Sequence, residues 1–223
     1  MRKEIYLIRG NSGESYSVFS TRIISLAKNI SKASEVVKVK LSYTEIAPPK
    51  LSVIPFKKNK IAVISVFTKV EGISEKLIME NGFSGVYLVD EAIPVAYDKH
   101  WNDLEKTPGV CLLTLFKKKK TLDYETFLTR WHNGHTPLSL KIHPLWNYNR
   151  NVVTKKLNES SFPWDGIVEE HFRSTSDLLN PIKFFGNPLV MIYNMMRVYF
   201  DTNSFLDYKT IEPYFATEIH IKS

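Results

Sequence analysis

Hydrophobic and polar residues change period along this chain in a way that marks its elements. Glu4 to Arg9 alternates like a strand, and Glu14 to Ile30 repeats at helical spacing through Phe19, Ile23, Leu26, Ala27 and Ile30. Val36 to Ile46 alternates again, and "APPK" breaks the pattern with two prolines. Lys60 to Phe67 is apolar enough to be a buried strand, Ile73 to Glu80 reads as a short helix, and Gly85 to Val89 as a strand. The second half opens with "PGVCLLTLFK", residues 108 to 117. A helix follows from Asp123, a good N-cap, to about Lys141. "LWNYNRNVVTK" and "WDGIVEEHFRS" read as strands. Residues 175 to 200 are helical with breaks at Pro181 and at Gly186–Pro188, and "PYFATEIHIK" closes the chain as a strand.

Both halves therefore predict the order strand, helix, strand, strand, helix, strand. That order is the split βαβ, or ferredoxin-like, unit. The expected fold class is α+β, with two tandem ferredoxin-like units over residues 1–105 and 106–223, packed sheet to sheet so that each covers the other's open face. At an offset of 108, Phe19 overlays Phe127, Ile23 overlays Trp131 and Ile30 overlays Leu138. Ala27 then overlays His135. The stripe Phe127, Trp131, His135, Leu138 thus carries an imidazole where the first half has a methyl group.

Composition narrows the function classes. The chain has 223 residues, 43% hydrophobic and 24% charged, as ordinary globular proteins do. No apolar run approaches the roughly 20 residues needed to span a bilayer, and the charged N-terminus does not read as a secretory signal. A cytoplasmic location and no membrane partner are the expectations. Cys111 is the one cysteine, which excludes an intrachain disulfide and a multi-cysteine zinc site. The net charge of +7 is partly carried by Lys117 to Lys120, read as a solvated turn in preference to an anion-binding patch.

The second half resembles the EthD family. The resemblance rests on Phe127, Trp131, His135, Pro137 and Leu138 in the helix, on Tyr148 and Asn151 in the next strand, and on Asp165, Gly166 and Glu169 or Glu170 in "WDGIVEEHF". It covers roughly Val110 to Phe172. It implies a dimeric α/β-barrel, here as a pseudo-dimer within one chain, with helices outside and a small pocket between helices and sheet. Members are associated with ether degradation and aromatic polyketides and are described as oxidoreductase-like. The run "KKKKT" departs from the arginine-proline turn of many members.

The function expected is binding, and transformation, of a small apolar or aromatic molecule, by oxidoreductase-like, cyclase-like or decarboxylase-like chemistry. His135 is the candidate proton-transfer group, because a free imidazole titrates near neutrality. Trp131, Tyr148, Asn151, Trp164, Phe185 and Met191 are the candidate substrate-binding residues. Tyr148 and Asn151 lie three apart on a strand and point to opposite faces, and Asn151 is favoured as the neighbour of His135. Glu169 and His171 share the other strand's face and could form a functional pair, although surface pairing is commoner. The Gly186–Pro188 break would let the Met-rich helix cover the pocket. No G-x-G-x-x-G occurs, so no dinucleotide cofactor is expected, and no metal site. The alternatives are haem with His135 as axial ligand, RNA binding through "NGFSGVYL" (residues 81 to 88, a poor match to the stacking motif), and a non-catalytic binding or scaffold role. The expected partner is the small ligand, with no nucleic acid, and a homodimer stays open.

Overall fold

The computed structural model describes residues 1–70 and 78–223. Most of the short helix expected at Ile73 to Glu80 lies outside the described residues. In chain order the elements are β1 (Arg2–Arg9), α1 (Tyr16–Ile30), β2 (Val36–Tyr43), β3 (Ile61–Thr68), β4 (Phe83–Val95) and β5 (Val110–Phe116). There follow α2 (Tyr124–Thr129), a π-helical turn (Arg130–His135) and α3 (Thr136–Ile142), then β6 (Leu145–Lys156) and β7 (Gly166–Phe172). The chain ends with α4 (Thr175–Leu179), α5 (Pro181–Phe185), α6 (Pro188–Phe205) and β8 (Glu212–Lys222). Ser15 and Asp123 cap α1 and α2 by accepting from the amides of Val18 and Thr126.

The eight strands form one closed antiparallel barrel in the order β1-β3-β2-β8-β5-β7-β6-β4. This corrects the expected fold. The tandem ferredoxin-like units packed face to face, and the dimeric α/β-barrel pseudo-dimer, are replaced by a single barrel joined edge to edge. Two seams do this: β2 pairs with β8, with Leu41 opposite Ile219, and β4 pairs with β6, with Val89 opposite Val153. The physical reason is edge satisfaction. Stacked open sheets would leave four rows of unpaired N–H and C=O groups, and closure removes them all. The helices do not repeat either: the second half carries α2 to α6, whereas α1 is the one complete helix described in the first.

Closure gives every strand an inside and an outside. The bore is packed at one end by apolar side chains from seven strands, among them Ile5, Leu7, Val63, Leu113, Ile167 and Tyr214. At the other end it is charged. Lys40 on β2 reaches Glu169 on β7 at 2.9 Å and Glu218 on β8 at 3.0 Å, and β2 and β7 are not neighbours, so the contact crosses the bore. Lys3 donates to Glu91 at 2.7 Å and to the side-chain oxygen Oδ1 of Asn151 at 2.6 Å. Outside, α1 packs Phe19, Ile23 and Ala27 on Tyr6, Leu41 and Ile64. The remaining helices cover β5, β6 and β7.

Candidate functional site

Along β6 and β7 the alternation sorts side chains between bore and helix layer. Asn147, Asn149 and Asn151 on β6, and Ile167, Glu169 and His171 on β7, belong to the bore; Tyr148, Val152, Val168 and Glu170 belong to the helix layer. Between that layer and the strands lies a mostly apolar cavity of about 530 Å³, lined by Trp131, His135, Tyr148, Glu170, Phe185 and Met195 among others. Its outer rim includes Val53, Pro55 and Lys57 from the β2–β3 connection and Tyr199 from α6.

His135 ends the π-helical turn. There the Thr136 amide reaches back five residues to the Trp131 carbonyl, and the Thr136 hydroxyl donates to the same oxygen at 3.0 Å. Such a widened turn shifts the register of the helix beyond it and is common at functional sites. Phe127, Trp131 and Leu138 stay buried, while the His135 side chain keeps 14% of its surface open and faces the cavity. Its Nδ1 stands 2.7 Å from Asp201 Oδ2 on α6, and its Nε2 3.1 Å from Ser139 Oγ one turn on. A carboxylate only accepts, so the proton of the neutral ring sits on Nδ1 and Nε2 accepts from the Ser139 hydroxyl.

Around the imidazole the wall is aromatic. Trp131 donates from Nε1 to the Tyr148 hydroxyl at 3.4 Å. Burial raises the Tyr148 phenol far above its ordinary value, with the Glu170 charge adding to the effect. His143 stacks on Phe184 at 4.1 Å, and burial pushes its imidazole down to about 4. Phe184 and Phe185 come from α5, held between the Asn180 cap and Gly186, whose φ of 101° suits glycine.

Glu170 is the one carboxyl among the residues that line this cavity. Burial raises its carboxyl to about 7, and among the described residues nothing donates a hydrogen bond to it. This gives a stability prediction whose sign is fixed. A carboxyl harder to ionise in the folded chain favours folding below its ordinary value of 4.5, and that advantage is lost as pH rises through about 7. Glu170→Gln is therefore expected to gain stability over the parent chain between pH 4 and 8, reaching about 2 kcal/mol after allowing for water in the cavity. Urea denaturation of both proteins at the two pH values measures this, and a constant difference would contradict it.

The structure brings His135, Trp131, Tyr148 and Phe185 together on one cavity. Three other expected residues lie elsewhere. Asn151 is inside the bore, holding Lys3 and donating to the Ile167 carbonyl at 3.0 Å; of the two β6 candidates it is Tyr148, and not the favoured Asn151, that shares the cavity. Trp164 packs in the apolar end of the bore. Met191 packs beside Phe184 and Phe185, and Met195, one turn on, lines the cavity in its place. Glu169 and His171 are not a surface pair: both are buried in the bore. Sequence reasoning missed Asp201, Ser139 and Glu170 as site residues. The β7 alternation carried a signal for Glu170, by setting it opposite Glu169; nothing in sequence links Asp201 to a histidine 66 positions away.

Residues 119–183 match the EthD domain, a span holding Trp131, His135, Tyr148 and Glu170 but not Asp201. No curated protein is similar enough to the chain to count as a match. Among solved structures, an anthrone oxidase-like protein superposes with a TM-score of 0.58 at 9% identity, over 98% of this chain and 90% of that one. A protein of Fusobacterium nucleatum subsp. nucleatum described as a "putative monooxygenase" superposes with a TM-score of 0.52 at 10% identity, over 99% of this chain and 92% of that one. At such identities the likeness is one of fold: the chain is built like these proteins along nearly its whole length, and its likeness to EthD is carried by the segment that holds His135.

Proposed function

We propose that the chain binds and transforms a small, flat, mostly apolar or aromatic molecule in this cavity, with His135 as the proton-transfer group. The observation that carries the reading is the Asp201–His135 contact of 2.7 Å on the wall of an apolar cavity. Asp201 fixes the tautomer and orients the ring, so that Nε2 is the nitrogen that takes the proton. The acceptor nitrogen then serves a phenol or an activated C–H that displaces the Ser139 hydroxyl. Such a deprotonation opens a cyclisation, or an oxidation in which dioxygen takes the electrons of the resulting anion; in a decarboxylation, loss of the phenol proton would precede departure of CO2 and His135 would return the proton to the ring carbon. Glu170, neutral up to about 7, can donate a proton or a hydrogen bond to a substrate oxygen. The EthD match over this segment and the two fold relatives, described as oxidase-like and as a "putative monooxygenase", support oxidoreductase-like chemistry as the first to test.

Haem ligation by His135 fits less well. It would use Nε2, and Lys57 is the one lysine or arginine among the cavity-lining residues to meet two haem propionates. A Soret band in the purified protein would reverse that preference.

The test uses hydroxylated tricyclic aromatics such as anthrones as probes, with quenching of indole fluorescence for binding and mass spectrometry for conversion. Met195→Trp fills the cavity from α6 and is expected to weaken binding at least roughly ten-fold, or about 1.4 kcal/mol. Unchanged binding in that variant would place the ligand elsewhere and end the proposal.

A further inference from the structure

Helix α6 has two apolar faces and only one is covered. Its inner face, including Met195, Val198 and Phe205, lines the cavity. Its outer face carries Leu189, Ile192, Tyr193, Met196 and Phe200 at helical spacing, with exposures of 93%, 64%, 65%, 54% and 61%. A helix apolar all round is ordinarily buried. Single exposed apolar residues need no explanation, but a continuous stripe over three turns does.

The charges around the stripe say what covers it. Within α6 the ionisable side chains that carry charge are Arg197 and Asp201, and Asp201 is turned to His135. Arg197 is exposed and makes no ion pair among the described residues. At the C-terminal end of α6, the Lys119 amide bonds the Phe205 carbonyl at 2.8 Å, which sets the Lys117–Lys120 run against the helix end. Lys209 is exposed just beyond, and Lys183 stands before the N-terminal end, 3.6 Å from Asp177. Asp207, the other nearby acid, accepts from the Lys209 amide at 3.2 Å. The rim is therefore basic at the C-terminal end of α6, where the Lys117–Lys120 run and Lys209 gather, while Lys183 at the other end is balanced by Asp177, on a chain of net charge +7.

We infer that this face of α6 docks on the surface of an anionic phospholipid bilayer, with the stripe in the interface and the lysines among the headgroups. Large apolar residues on one helix face, flanked by cations, are the chemistry that anionic interfaces hold, and tyrosines such as Tyr193 suit the headgroup level. A second copy of the chain fits worse, because it carries the same net charge of +7 and the same exposed Arg197 in the middle of the face. The inference departs from the expectation of no membrane partner, which rested on the lack of a spanning run; among the described residues no helix is long and apolar enough to cross a bilayer, and docking needs none. The docked face adjoins the cavity rim at Tyr199, so an apolar compound dissolved in the bilayer would meet the cavity directly.

The experiment is vesicle co-sedimentation of the full chain, with phosphatidylcholine alone and with added phosphatidylserine. The chain is expected to pellet with the anionic vesicles at low salt and to be released as salt rises. Ile192→Glu/Met196→Glu/Phe200→Glu, none of them cavity-lining, is expected to cut the bound fraction roughly ten-fold while leaving the far-ultraviolet dichroism unchanged. Should that variant not fold, Lys119→Glu/Lys120→Glu is expected to lower the preference for phosphatidylserine. His135→Ala should pellet like the parent, which separates this inference from the proposed chemistry. A parent chain that stays in the supernatant with both vesicles overturns the inference. So does a dimer in sedimentation equilibrium that the triple variant splits, with no vesicle binding by either.

Discussion

Lys40→Met is expected to cost about 3–5 kcal/mol of folding stability at neutral pH, the usual penalty for leaving a buried charge without its partner. Lys40 is the one cation within 3.0 Å of both Glu169 and Glu218 among the described residues, and all three side chains are almost fully buried. Burial works against the Lys40 ammonium, yet the two carboxylates override it and raise it well above its ordinary value. Burial likewise pushes both carboxyls up; Lys40 and Lys3 bring Glu169 below its ordinary value, and His171 with Lys40 hold Glu218 well below. In the parent chain these depressed carboxyls stabilise the fold above about pH 4.5, and the gain is lost as pH falls through their folded values. In the variant the two buried carboxylates lose the cation they share, leaving Glu169 with the Ser42 hydroxyl and the charge of Lys3, and Glu218 with His171 at 3.2 Å. Their stability contribution then falls, so the deficit should shrink on going from pH 7 to pH 5. Urea denaturation at the two pH values tests this. A loss below about 1 kcal/mol at pH 7 would mean that water reaches this end of the bore. Adding Glu169→Gln and Glu218→Gln should recover most of the loss, since a neutral network needs no counter-ion.

The same bore shows where the sequence stopped being readable. The seven strands expected from alternation or apolar runs and the eighth, "PYFATEIHIK", all exist. So do the α1 stripe and the Asp123 cap. What alternation could not tell was which strand edges meet. The expected strand Gly85 to Val89 runs on to Val95 through Asp90 and Glu91, residues that ordinarily end a strand. Glu91 belongs there because Lys3 and Asn149 bind it from neighbouring strands, a long-range fact without a local signature. That extension carries the β4–β6 seam on from Val89 to Val95, along the stretch that faces Val152 to Tyr148. Asn151 misled for a related reason: its amide was expected beside His135, and here the polar face of β6 is the bore. At the cavity, an imidazole on an otherwise apolar stripe was a genuine signal, because a histidine there needs a partner or a solvent-lined wall. Its partner was invisible, since α6 folds Asp201 back across the barrel's outside from far along the chain.

His135→Ala is expected to lower turnover of an identified substrate by about 10²–10⁴-fold with little change in binding, the range for removing a positioned proton-transfer group. Trp131, Tyr148 and Phe185 line the same cavity and still supply apolar contact once the imidazole is gone. A KM that rises while kcat holds would instead make His135 a packing residue. Two further variants divide the effect. Asp201→Asn keeps the shape but replaces the acceptor at Nδ1 by a group that can donate, so the ring can take the wrong tautomer and its protonated form loses a counter-charge. Asp201 is partly exposed, so water screens that loss, and the fall in kcat should lie between the parent chain and His135→Ala. Ser139→Ala removes the hydroxyl at 3.1 Å from Nε2. A hydroxyl that only occupies Nε2 between turnovers competes with substrate, and its loss should leave kcat within a few-fold of the parent. A hydroxyl that relays the proton should, when removed, cost nearly as much as the histidine itself. Measuring kcat for the three variants against one probe thus distinguishes direct transfer to His135 from transfer through Ser139. Full activity in all three would leave Glu170 as the group that moves the proton.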